Sequence, residues 1–237
     1  MLRHTGQNRT FKHNLRLAIL LCLNAGFINA AGFIAFNVLT TNVTGHAALL
    51  AVGIASSNFH SVRTVALWLL LFLAGAFSSG LIISKVGREK ASAYSLPILI
   101  IIVVILSVAM FGHVYDHRPI ETEYFAGSLL FAMGMQNALV SMVSGSVVRT
   151  THLTGIVTDL GIDLSALITN RKNMPAYMSN RIILRVTIIV SFLLGGIIGG
   201  VMFMSSGFHA FFVPACLSAT ALFYDYFRIK FLRILRK

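Results

Sequence analysis

Residues 17–39 read LAILLCLNAGFINAAGFIAFNVL. No charge interrupts these 23 residues, and at about 1.5 Å of rise each they cover roughly 34 Å, enough to cross a hydrocarbon core of about 30 Å. A basic lead of Arg3, Arg9, Lys12 and Arg16 precedes them. A secretory signal has the same order of charge and apolar residues, but its apolar region runs only about 7–15 residues. The stretch therefore reads as a retained first membrane helix.

Seven more apolar segments follow, at 43–57, 64–84, 93–112, 124–147, 153–169, 182–205 and 209–227. Over all 237 residues, 57% are hydrophobic and only 11% charged, with a mean hydropathy of +0.82. Soluble domains carry about 25% charged residues, so a soluble enzyme, a disordered tail and a disulfide-stapled secreted domain are excluded. What remains is an all-α polytopic membrane protein whose solvent is lipid. Cys22 and Cys216 sit inside apolar runs and offer neither a metal spacing nor a disulfide framework. The net charge of +12 would suggest nucleic acid in a soluble chain. Here the basic residues cluster between and beyond the apolar runs, as the positive-inside rule requires. The predicted partner is a bilayer, not a nucleic acid.

Six segments are long enough to span. Segments 43–57 and 153–169 are shorter and richer in Gly, Ser, Thr and Asn or Asp, which predicts re-entrant or broken helices shielded from lipid by protein or water. With six spans, every Lys and Arg except Arg63 and Arg118 falls on one side; with eight, Lys85, Arg88, Lys90 and Arg149 become the stranded ones. The rule favours six full spans plus two re-entrant helices, with both termini in the cytoplasm of a bacterial inner membrane.

The chain also repeats. Gly26 and Asn29 recur as Gly134 and Asn137, an offset of 108; Thr44-Gly45 recurs as Thr154-Gly155, an offset of 110. FLAGAFSSG from Phe72 matches FLLGGIIGG from Phe192, an offset of 120, and Pro97 matches Pro214, an offset of 117. Three spans per half would place the second half upside down, an inverted internal repeat. The organisation is a basic N-terminus (1–16), a first repeat (17–113), an external loop (114–123), a second repeat (124–227) and a basic C-terminus (228–237).

GFINAAGF and TTNVTGH in the first half, with GMQNALV and RTTHLTGIVTDLG in the second, resemble the YoaK family of bacterial membrane proteins, from about residue 15 to 230. The family is a domain of unknown function, described as six-span and grouped with small-molecule transporters. It commonly has Asp where Asn29 stands, and TGN where this chain has Thr44-Gly45-His46. A proton-carrying role for that acid does not transfer to Asn29.

Matched short polar segments in inverted repeats point to a mid-membrane site. Candidate solute-binding residues are Asn29, Thr44, Gly45, His46, Gln136, Asn137, His152, Thr154 and Gly155. Thr44 and Thr154 stand at helix starts, which either attract an anionic group or are closed by threonine acting as an N-cap. His46 and His152 flank those starts as proton carriers or as structural hydrogen-bonders. Asn29 and Asn137 either line a polar path or join their two helices. Asp159 and Asp163, spaced i,i+4, share one helix face. They either couple transport to a proton or cation, since neighbouring carboxylates resist ionising together, or simply emerge at the cytoplasmic surface. Arg149 balances Asp159, attracts an anion or anchors the loop. Asp225 beside Arg228 reads as a snorkelling or paired group.

The spacings Gly195/Gly199 and Gly75/Ser79 let helices approach closely. Segment 64–84 against 182–205 is the simplest pairing, and a homo-oligomer would use the same surface. No P-loop, zinc spacing, nucleophile elbow or dinucleotide fingerprint occurs, so no enzyme, cofactor or metal is expected. The expected function is a secondary transporter of a small solute. Its rivals are a membrane enzyme acting on a lipid-soluble substrate, built on Arg149, His152, Asp159 and Asp163, and a non-transporting accessory or sensor subunit.

Overall fold

The computed structural model describes residues 10–88, 90–116, 118–169 and 176–234, with the side chains of 91, 176 and 224–234 left aside. The expected contact of Asp225 with Arg228 lies outside the described side chains. Eight α-helices occur among the described residues and no strand: α1 (Phe11–Phe36), α2 (Val43–Ala55), α3 (Phe59–Val86), α4 (Ser95–Phe111), α5 (Pro119–Ser144), α6 (Leu153–Thr169), α7 (Ala176–Ser206) and α8 (Phe212–Ile234). Five stretches are long and apolar enough to cross a bilayer: Phe11–Phe36, Phe59–Val86, Ser92–Val114, Pro119–Ser144 and Tyr177–Phe223. The last holds α7, a 3-10 turn at Gly207–Phe211 and the start of α8. Gly207, at φ +56°, makes the left-handed break between them. At 13 and 17 residues, α2 and α6 reach only about 20 and 25 Å, short of the core thickness.

Several helices start earlier than their apolar runs. Thr10 caps α1 and Asn58 caps α3, its side chain accepting from Ser61 N at 3.2 Å. Pro97 and Pro214 each stand third in their helix, where the missing N–H has no intrahelical partner to lose.

α1 and α5 end three residues before their apolar runs do, and by the same device. Asn37 (φ 56°) and Gly145 (φ 63°) adopt the left-handed conformation, and their N–H groups bond back to Phe33 O and Ser141 O. These caps are one repeat offset apart. Each turns the chain back along the helix it has just left. Thr40 Oγ1 then donates to Ile28 O, and Thr41 N donates to Asn29 Oδ1 at 3.2 Å.

The long helices pair through backbone contact at glycines. α1 runs parallel to α7: a Cβ on Gly195 would strike Leu23, and one on Gly199 would strike Phe27. α3 runs parallel to α5: a Cβ on Gly75 would strike Phe131, and one on Gly134 would strike Phe72. These contacts exchange under the repeat offsets, because Leu23 and Phe131 are 108 apart and Gly75 and Gly195 are 120 apart. α1 is antiparallel to α5, with Asn24 donating to Gln136 Oε1 at 2.7 Å while Gly32 faces Leu129. The sequence expectation of segment 64–84 packing on 182–205 is therefore corrected: each glycine stripe packs on α5 or α1 instead. Glycine spacing announces close approach without naming the partner.

The end of the bundle holding the α1 C-terminus and the α5 N-terminus is filled by rings. Phe36 stands edge-on to Tyr115 (centroids 5.1 Å) and stacks on Phe125 (6.0 Å), with Phe208 completing the plug. At the same end Arg63 pairs with Glu123 at 3.0 Å.

Candidate functional site

Asn29 and Asn137 anchor the two return loops. Asn29 Oδ1 accepts from Thr41 Oγ1 at 2.8 Å. Asn137 Nδ2 donates to Thr151 Oγ1 at 2.5 Å, and Asn137 Oδ1 accepts from Thr150 Oγ1 at 2.7 Å. Each asparagine stands seven residues before its helix ends, so the loop is drawn back about 10 Å along the bundle. α2 and α6 start from those retracted points. Their first turns, with Thr44 and Thr154, line one cavity of about 400 Å³. Phe72, Asn137, Ser141, Ser146 and Arg149 also line it. No carboxylate lines it.

The Thr-Gly pairs have a local cause. Asn42 caps α2, its Oδ1 accepting from Gly45 N at 2.9 Å. A Cβ on Gly45 would stand 2.7 Å from Asn42 Nδ2, and one on Gly155 would stand 2.6 Å from His152 Nε2. The side chain at the helix start folds over the third residue and fills the space of its Cβ. The capping position thus belongs to Asn42, not to Thr44, which leaves the Thr44 side chain to the cavity wall.

A second cavity of about 420 Å³ adjoins the first and shares Ser146, Arg149 and His152 with it. It runs between α6 and α7, past Asp159, Arg181 and Arg185. Asp163 is buried and takes Arg181 at 3.0 Å on one oxygen and Arg185 on the other. Arg185 also pairs with Asp159 Oδ2 at 3.1 Å. In the first half the corresponding positions are Leu49, Gly53, Ser61 and Val65, with no charge among them. There α2 lies on α3 through apolar contacts: the His46 ring stands edge-on to Trp68 at 5.5 Å, and Gly53 faces Val62.

The family described as "Protein of unknown function (DUF1275)" matches residues 17–224. The chain belongs to this family. It is similar to the UPF0700 transmembrane protein YoaK of Bacillus subtilis (strain 168), at 24% identity over 184 residues, 77% of this chain and 80% of that one. No solved structure matches. With five apolar stretches of spanning length, this DUF1275 chain is a membrane protein.

Within this family member, the first cavity gathers Thr44, Asn137, His152 and Thr154 of the residues the sequence singled out, and the second adds Gly155 and Asp159. Asn29, Gly45, His46, Gln136 and Asp163 lie outside both linings. Asn29 holds the loop, and His46 Nδ1 meets Asn42 O at 2.5 Å. Gln136 is buried, donating to Leu21 O at 3.0 Å. Sequence reasoning missed Thr40-Thr41 and Thr150-Thr151 as loop anchors. Their recurrence at an offset of 110 was the available signal. It also missed Arg181 and Arg185, whose i,i+4 spacing mirrors that of Asp159 and Asp163.

Proposed function

We propose that this chain is a secondary transporter that carries a small solute through the central cavity by alternating access. One observation carries the reading: two short helices, one from each half, begin at the same cavity and leave it in opposite directions. The antiparallel run of α1 and α5 and the exchangeable glycine contacts support two halves in inverted orientation. Six spans follow, with α7 and α8 counted separately, and the cytoplasmic side is the one rich in Lys and Arg. On the other side stand the α2–α3 contact and the aromatic plug. Toward the cytoplasm the cavity continues into the cleft between α6 and α7, where the Asp159–Arg185 and Asp163–Arg181 pairs form a polar gate. Asp159, the more exposed of the two acids, is the coupling candidate, because a proton arriving there releases one arm of Arg185.

The test is a thermal-shift screen of detergent-purified protein against a metabolite library, followed by uptake of each stabilising solute into proteoliposomes. A binding solute raises the melting temperature by mass action. Uptake that loses its pH dependence in Asp159→Asn supports the reading. A solute that binds but never crosses, or stable co-purification with a fixed partner and no uptake, replaces it with an accessory role.

A further inference from the structure

We infer that the central cavity takes the oxyanion of its solute, a carboxylate or a phosphate, on the guanidinium of Arg149. The inference rests on the transport reading above and narrows it to a substrate class. Arg149 precedes the Thr150-Thr151 pair that Asn137 draws back along α5, and its side chain is exposed at the cavity wall. With Ser146 and His152 it is one of three residues that belong to both cavity walls. It has neither an ion pair nor a hydrogen bond among the described residues. Asp159 shares the second cavity with it, but Arg185 occupies that carboxylate at 3.1 Å, and Asp163 is held by Arg181 and Arg185.

Arg181 and Arg185 have carboxylates and Arg149 has none among the described residues, which leaves its guanidinium open to an anion from outside the chain. Around it in the first cavity stand hydroxyl and amide groups, Thr44, Ser141, Thr151, Thr154 and Asn42, and the sole other titratable lining group is His152. That wall offers donors and one fixed positive charge, with no carboxylate to receive a cation. A guanidinium presents a flat fork of N–H donors that fits two oxygens of a carboxylate or phosphate at once. A cavity of about 400 Å³ falls within the usual range for small-molecule sites.

The experiment uses the full chain in detergent, with succinate and inorganic phosphate as oxyanion probes and choline as the cationic probe, all balanced with chloride to one ionic strength. The expected result is a saturable rise in melting temperature with at least one oxyanion and none with choline chloride. Arg149→Gln weakens that oxyanion at least about tenfold, the loss of one charge-assisted hydrogen bond. Arg149→Lys, which keeps the charge, holds phosphate better than succinate because it lacks the fork. Arg63→Gln, at the opposite end of the bundle, changes nothing. If Arg149→Gln fails to fold, the Lys variant's changed preference between the two probes carries the test. No oxyanion response in the wild type overturns the inference, as does a response unchanged in either Arg149 variant. Uptake of choline into proteoliposomes, insensitive to Arg149, would overturn the substrate class and leave transport standing. Arg149-dependent oxyanion binding without flux would do the reverse.

Discussion

Replacing Gly26 or Gly134 with alanine strikes the two seams on which the bundle rests. A Cβ on Gly26 would overlap Phe192 O and lie 2.8 Å from Phe192 C and 3.0 Å from Gly196 N. A Cβ on Gly134 would overlap Phe72 O and lie 2.9 Å from Phe72 C. Comfortable carbon contacts begin near 3.5 Å, so each pair of helices must part by roughly 1 Å. The obstacle is backbone, and no rotamer change relieves it. A gap of that size forfeits about a quarter to a half of each dispersion contact along the seam. Overpacking in a core typically costs about 1–3 kcal/mol, and backbone obstruction puts both substitutions at the upper end, near 3 kcal/mol. Gly161→Ala in α6 is the control, since nothing lies within 4 Å of its Cβ position, and it loses no stability, gaining up to about 1 kcal/mol of helix propensity. Denaturant or heat unfolding of the purified variants reads these values. The two costs should match, because each Cβ meets the same backbone atoms, O and C of a phenylalanine, at nearly the same distances. A penalty under about 1 kcal/mol at either position, with the control not destabilised, would refute the seam as described.

The return loops, the α6–α7 ion pairs and the start of α6 each give a further outcome. Asn137→Ala removes the acceptor of Thr150 and the donor to Thr151, and costs about 1–3 kcal/mol; hydrogen exchange should quicken in residues 146–154, and unchanged exchange there contradicts the anchor. Removing one member of the buried Asp163–Arg185 pair costs about 3–5 kcal/mol, while replacing both together recovers part of it; additive losses in a double-mutant cycle would mean the pair is not coupled. Gly155→Ala places a Cβ 2.6 Å from His152 Nε2, so the ring must move aside at a cost of about 1 kcal/mol, seen as a lower melting temperature.

Much of this fold was legible in the sequence because lipid imposes a simple code. Long uncharged runs became the spanning-length helices, and the short Thr-Gly segments became α2 and α6. The left-handed caps at Asn37 and Gly145 were not foreseen: apolar residues continue past both, so hydropathy extended α1 to 39 and α5 to 147. The site was half legible. Thr44, Thr154, His152 and Asn137 meet in one cavity, because the repeat marked equivalent positions at the two helix starts. Asn29 and Gln136 satisfy other protein groups instead, and residue type alone does not separate a polar group that waits for a ligand from one that already has a partner. The ion-pair cluster is hidden in the sequence because Arg181 and Arg185 close a polar, basic stretch between two apolar segments and read there only as markers of the cytoplasmic side.

The arrangement of the two short helices is tested most directly by single cysteines in a background of Cys22→Ala and Cys216→Ser. Ser57→Cys stands past the far end of α2 and Thr169→Cys at the far end of α6. In sealed vesicles of known orientation, a membrane-impermeant thiol reagent should label Ser57→Cys from the outside alone and Thr169→Cys from the cytoplasmic side alone. Labelling of both from one side would mean that the halves point the same way, and the shared cavity would lose its basis.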